Sequence, residues 1–177
     1  MQMLEQRLKE VIREVPDFPS KGVVFKDITP VLQDQILCTQ IVDEFVKQLK
    51  GVKVDIIAGV ESRGFLFGLM LANKLQIPFV PIRKQGKLPC RIISESYKLE
   101  YGQATIEVHE DAFPKGSNVL IHDDLLATGG TVAASSKLIE KLGGNVVGYS
   151  FVISLDFLSG RGRLSRFSDN IISLVSF

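Results

Sequence analysis

Residues 119–131 read VLIHDDLLATGGT. Val119 to Ile121 form an apolar, β-branched-rich run of the kind that makes a strand buried on both faces. Asp123 and Asp124 follow, and the chain then passes through Ala127, Thr128, Gly129, Gly130 and Thr131 into a helical pattern that starts at about Val132. A helix opening behind such a small-residue turn presents unpaired backbone N–H groups, and the glycines let those amides close around a phosphate. The two acids stand just ahead of the turn, where they can accept hydrogen bonds from sugar hydroxyls and hold Mg²⁺ through water. A phosphorylated sugar satisfies both halves. The lysine of a GxxxxGK[ST] loop is missing, as is a GxGxxG fingerprint, so nucleotide hydrolysis loses support.

Working outward, three more runs lack alternation and are rich in β-branched residues: VDIIAGV (54–60), PFVPI (78–82) and NVVGYSFVI (145–153). Helical segments separate the strands, GFLFGLMLANKL (64–75) between 54–60 and 78–82, and TVAASSKLIEKL (131–142) between NVLIHD (118–123) and 145–153. Alternation of this sort predicts an α/β fold with a doubly wound, mainly parallel sheet. Its ligands belong at the carboxyl ends of the strands, where the loops after Val60, Ile82 and Asp124 gather.

Toward the amino terminus, Leu4, Leu8, Val11, Ile12 and Val15 recur at helical spacing, predicting a helix that Pro16 ends. Residues 16–33, punctuated by Pro16, Pro19 and Pro30 around the β-prone Val23 to Phe25, predict a small cap. A second amphipathic helix is expected from Gln35 to Leu49, stopped by Gly51. Residues 83–108 carry Gly86, Pro89 and Gly102 without a helical period, as a mobile lid or β-ribbon would. The tail beyond Leu155, including GRGRLSRF, matches no functional motif and reads as a closing helix and an edge strand.

The 177 residues suit a single domain over 1–177, and 45% hydrophobic against 23% charged residues is an ordinary globular balance. A net charge of +1 argues against nucleic acid as a partner, since polyelectrolyte binding needs a surplus of Lys and Arg. Cys38 and Cys90 follow no disulfide or metal spacing, which suits reduced thiols in a cytoplasm. Glu5, Arg7, Lys9, Glu10, Arg13 and Glu14 interrupt the first apolar residues, and no run approaches a membrane span, so neither export nor embedding is expected.

Residues 119–131 resemble the signature of the type I phosphoribosyltransferases, which bind 5-phosphoribosyl diphosphate (PRPP). That signature is shared with PRPP synthetases and with regulators that sense PRPP on the same fold, so alone it marks a class rather than a reaction. GVVFKDITPVL (22–32), ESRGFLFG (61–68), RKQGKLP (83–89) and ESYKLEYG (95–102) are similar to the adenine phosphoribosyltransferases in particular. The resemblance spans about residues 16–155. It implies purine salvage: adenine and PRPP give AMP and pyrophosphate, with Mg²⁺, in a homodimer. Another purine preference, or a PRPP sensor, is the alternative.

The same resemblance implies roles for particular residues. Adenine would lie in the cap, bonded by the backbone of Val24 and Lys26 and sandwiched by Phe25 and Leu125. Read from the residues alone, Phe25 is more readily a core aromatic. Ser62 and Arg63, after a cis Glu61–Ser62 peptide, would meet the pyrophosphate, together with Arg83, Lys84 and Lys87, partly across the dimer interface. Ala127, Thr128, Gly129, Gly130 and Thr131 would hold the 5′-phosphate, and Asp123 and Asp124 the ribose and, through water, the metal. Glu100 would be the catalytic acid/base at N7 of the purine, with Tyr101 closing the site. Two residues depart from the family: His122 replaces an apolar strand residue, and Lys26 the more usual Arg. His122 reads as a core histidine with its hydrogen bonds met.

Overall fold

The computed structural model describes residues 2–98 and 102–177, so Glu100 and Tyr101 lie outside the described residues. Helix α1 (Gln2–Val11) leads into a two-stranded antiparallel cap, β1 (Arg13–Pro16) against β2 (Val24–Asp27). The expected continuation of α1 to Val15 does not occur. Residues 13–16 instead pair with 24–27, from Arg13↔Asp27 to Pro16↔Val24, and Glu14 forms an ion pair with the buried Lys26. These partners are distant in sequence, and their contacts outweigh the weak local preference for one more helical turn. The cap therefore starts near residue 13 rather than 16.

Helices α2 (Thr29–Leu32) and α3 (Gln35–Gln48) follow, the latter N-capped by Asp34, whose carboxylate accepts from the Leu37 N–H at 2.9 Å. Then come β3 (Ile56–Val60), α4 (Gly64–Leu75), β4 (Phe79–Lys84), β5 (Ile92–Lys98), β6 (Gln103–His109), β7 (Asn118–Leu126), α5 (Gly130–Lys141) and β8 (Asn145–Ser154). A 3₁₀ turn (Asp156–Leu158), α6 (Gly160–Leu164) and β9 (Ile171–Ser176) complete the chain, giving the closing helix and edge strand expected of the tail.

The main sheet runs β5-β6-β4-β3-β7-β8-β9. From β4 to β9 every neighbouring pair is parallel, while β6 joins β4 and β5 antiparallel at one edge. This is the doubly wound, mainly parallel sheet that the alternating runs predict. One apolar cluster fills each face: Leu8, Phe45, Phe67 and Leu71 pack with Ile57 and Leu120, and Leu138 and Ile139 of α5 with Ile121, Tyr149 and Phe151. Each such buried side chain contributes roughly 1.5–3 kcal/mol, which makes the sheet a rigid mount for its loops.

Over its described residues, the segment expected as a lid is a β-ribbon continuous with the sheet edge. It is fastened along α5, because Glu95 accepts from Lys137 and Lys141, each at 2.7 Å.

Candidate active site

The crevice opens where β3 and β7 part. Their pairing runs from Ile56↔Val119 to Gly59↔His122 and stops, whereas β7 stays paired with β8 through Leu126↔Ser154. Asp123 and Asp124 thus lie within β7, which continues past them to Leu126. The long β8 beside them keeps the backbone extended, while the start of α4 rather than β3 stands on their other side, Arg63 against Asp124 and Gly64 against Asp123.

Asp124 is buried, and Asp123 partly so. Arg63, at the start of α4, approaches Asp124 with Nε to Oδ2 at 2.9 Å. That contact is too bent for a hydrogen bond and leaves Oδ2 a buried acceptor without a donor. Burial pushes both carboxyls above their ordinary values; the neighbouring Asp124 pushes Asp123 further, and the Arg63 charge pulls both back. A pair held this way is poised to receive donors and positive charge.

The same Arg63 reaches the cap. Its guanidinium lies over the Phe25 ring, 4.9 Å from the centroid, and Nη1 stands 3.5 Å from the Lys26 carbonyl oxygen. Phe25 is accordingly not a core aromatic: it is half-buried in the cap, edge-on to Phe18 at 5.1 Å. Lys26 uses its side chain structurally, pairing with Glu14 and covering the Phe177 ring at 3.7 Å, which leaves its backbone facing the crevice. Val24 is exposed beside them, and Leu125 packs against the apolar cluster on the sheet face that carries the cap.

The Glu61–Ser62 peptide is cis. Glu61, which the sequence marks only through that peptide, organises the basic cluster: it accepts from Arg83 Nε and Nη2, both at 3.3 Å, and from the Lys84 N–H at 2.8 Å. Burial works upward on its carboxyl, but the Lys84 amide and Arg83 overcome it and hold the group below its usual range. Arg83 also donates to the Lys87 carbonyl at 3.0 Å, so Arg83 and Lys84 at the end of β4 are tied to Lys87 in the turn beyond it, with both lysines exposed.

The turn from Ala127 to Thr131 opens α5, whose N-terminus has no side-chain cap. Gly129 takes φ +73°, a left-handed conformation that an L side chain resists. The first N–H groups of the helix are left without intrahelical acceptors. The Thr131 hydroxyl donates to Tyr97 Oη at 2.9 Å, tying the ribbon to the turn. Tyr97 is a residue that sequence reasoning passed over; it stands in ESYKLEYG but bears no charge to mark it.

His122 is fully buried, with Nδ1 2.8 Å from Ser150 Oγ, Phe45 edge-on at 5.5 Å, and Nε2 without a partner. It is a core histidine as expected, though only half satisfied. Burial pushes its pKa down to about 3. The unfolded imidazole titrates near 6.5, so the folded state binds fewer protons between these values and stability is lost as pH falls below about 6.5. Urea unfolding from pH 7 to 4 should show a slope of up to about 1.4 kcal/mol per pH unit from this group. His122→Leu should flatten it; an unchanged acid limb would refute the assignment.

Fold and site together define a phosphoribosyltransferase, and residues 32–165 match the phosphoribosyl transferase domain family. An adenine phosphoribosyltransferase of Cytophaga hutchinsonii is 51% identical over 99% of this chain and 97% of its own. One of Caldanaerobacter subterraneus is 54% identical over 96% and 97%. The crystal structure of the Thermoanaerobacter pseudethanolicus adenine phosphoribosyltransferase superposes with a TM-score of 0.94 at 51% identity, covering 97% of this chain and 99% of that one. The Saccharomyces cerevisiae enzyme, complexed with an imino-altritol bisphosphate and adenine, gives 0.92 at 42%, covering 98% and 99%. The chain belongs to the adenine phosphoribosyltransferases, purine-salvage enzymes that make AMP and pyrophosphate from adenine and PRPP.

Proposed function

We propose that adenine binds between the cap and Asp124, in the space Arg63 spans. One observation carries this. A planar guanidinium lies over Phe25, directs an N–H group toward the Lys26 carbonyl and sets positive charge beside Asp124. These contacts stand in for a purine ring, for its 6-amino group and for the donors of a ribose. A fixed carbonyl acceptor selects a 6-amino over a 6-oxo purine, because the oxo form leaves it unpaired. Val24 would supply the second backbone contact and Leu125 the other face of the sandwich.

On substrate binding Arg63 turns to the pyrophosphate, alongside Ser62 and the Arg83, Lys84 and Lys87 cluster, while the Ala127–Thr131 amides hold the 5′-phosphate. Mg²⁺ fits the acid pair in one manner. Among the described residues no group of three or more His, Cys, Asp or Glu gathers, so Asp123 and Asp124 would hold it through water with substrate oxygens completing the shell. Bound there, it neutralises charge on the departing pyrophosphate. The C1′–O bond breaks, N9 of adenine bonds to the opposite face of C1′, and the N9 proton is lost. Glu100, over the imidazole edge, would exchange a proton with N7 or hold one there, with Tyr101 closing the site.

The test is pyrophosphate release from PRPP and Mg²⁺ with adenine, guanine, hypoxanthine or no base. Release should require adenine, and Glu100→Ala should slow it by about a hundredfold. Equal use of guanine would sink the cap assignment, and an undiminished variant the role of Glu100.

A homodimer accounts for the exposed Leu66, Leu69 and Met70 on the outer face of α4, and sedimentation would reveal it. No helix among the described residues is long and apolar enough to cross a membrane, and with free Cys38 and Cys90 a cytoplasmic location is the consistent proposal.

A further inference from the structure

The GRGRLSRF run, which no motif claims, lies directly on the phosphate turn. A Cβ on Gly129 would come within 2.9 Å of the Gly160 carbonyl oxygen, and one on Gly160 would collide with the Ala127 carbonyl. Glycine on both sides lets α6 press against the turn, and the fully buried Leu164 anchors it there. This contact aims Arg163. Its Nη1 sits 3.1 Å from where a Cβ on Gly130 would stand, a point 3.6 Å from Tyr97 Cδ2 and 3.8 Å from Thr128 Oγ1.

The neighbouring arginines are engaged. Arg161 donates to the Ile171 carbonyl and the Ser173 hydroxyl, and Arg166 covers the Phe167 ring at 4.4 Å. Arg163 is exposed and, among the described residues, has neither an ion pair nor a hydrogen bond. It also sits at the positive end of α5, where a cation has the unfavourable sign. Placed there without a carboxylate, it becomes favourable once an anion enters the turn.

We propose that Arg163 is a binding residue for the 5′-phosphate of PRPP and AMP, a guanidinium clamp from α6 over the phosphate that the backbone amides cradle. The inference rests on placing that phosphate in the Ala127–Thr131 turn. A guanidinium pairs with a phosphate monoester through two parallel N–H bonds, which a lysine ammonium reproduces in charge but not in geometry.

The test compares wild type with Arg163→Ala, Arg163→Lys and Thr131→Val, the last removing a hydroxyl from the turn itself. For Arg163→Ala, the KM for PRPP and the inhibition constant of ribose 5-phosphate should both rise about tenfold, equivalent to about 1.4 kcal/mol. The KM for adenine should move less than about twofold, with the melting temperature held and partial recovery in Arg163→Lys. If Thr131→Val weakens ribose 5-phosphate and Arg163→Ala does not, the turn holds the phosphate and the clamp is wrong. If neither variant weakens it, the placement falls as well. A uniform drift of all constants with a lowered melting temperature would make Arg163 a packing residue and overturn the proposal.

Discussion

Asp124→Asn is expected to cut AMP synthesis by about a hundredfold and yet to melt above the wild type at pH 7. The loss follows from geometry. Asp124 is 4% exposed and its Oδ2 has no donor, so in the proposed binding mode the carboxylate accepts from the ribose hydroxyls, and hydrogen bonds to a charged acceptor contribute roughly 1.5–3 kcal/mol each. The gain follows from burial, which raises this carboxyl above its unfolded value despite the Arg63 charge. A raised carboxyl binds more protons folded than unfolded, so its destabilisation sets in as pH climbs past about 3.9 and vanishes below it. The advantage of the variant should therefore be present at pH 7 and disappear near pH 4. Thermal melts across that range, with kcat/KM for PRPP, check both halves. A variant less stable at pH 7 would mean that the Arg63 ion pair outweighs desolvation.

Gly64→Ala should be a strongly damaging addition of one methyl group beside the acid pair. Gly64 opens α4, and a Cβ there would stand 2.8 Å from the His122 carbonyl oxygen, 2.9 Å from Asp123 Oδ1 and 3.0 Å from Asp123 Cα. Two of those atoms are backbone of a central strand paired to β8, so they cannot move aside. The helix must retreat, carrying Arg63 and the Glu61–Ser62 turn away from Asp124. Overpacking of this sort costs about 1–3 kcal/mol, or roughly 2–4 °C of melting temperature for each kcal/mol in a chain of this length. Activity should fall further than stability, since Asp123 and Arg63 are both displaced. Gly68→Ala is the informative comparison: its nearest neighbours are side-chain atoms, Phe79 Cε2 at 3.0 Å and His122 Cδ2 at 3.4 Å, which have some freedom to yield. Gly68→Ala should be the milder change; the reverse order would show that α4 is not held to β7 at Gly64.

The site was legible in sequence wherever its chemistry is contiguous. Asp123, Asp124 and the Ala127–Thr131 turn adjoin one another, and their residue types constrain a strand end and a helix start without help from elsewhere. The basic cluster at Arg83 was visible as charge, but the carboxylate that holds it, Glu61, reaches it only because β3 and β4 are parallel neighbours. Residues 13–16 carry helical spacing and nevertheless form a strand, since Val15 and its neighbours find Val24 to Asp27 across the cap.

The sequence by itself determined the alternation of strands and helices, the small-residue turn that opens α5, the acid pair and, through resemblance, the class of chemistry. These depend on local propensity and on apolar periodicity, which act over a few residues. Only the tertiary structure decided that Arg63 meets Asp124 and Phe25, that Tyr97 meets Thr131, and that Arg163 rests on Gly130. Each of those contacts follows from sheet order and helix packing, which are set by the summed burial of many distant side chains and are encoded in no single stretch of the chain.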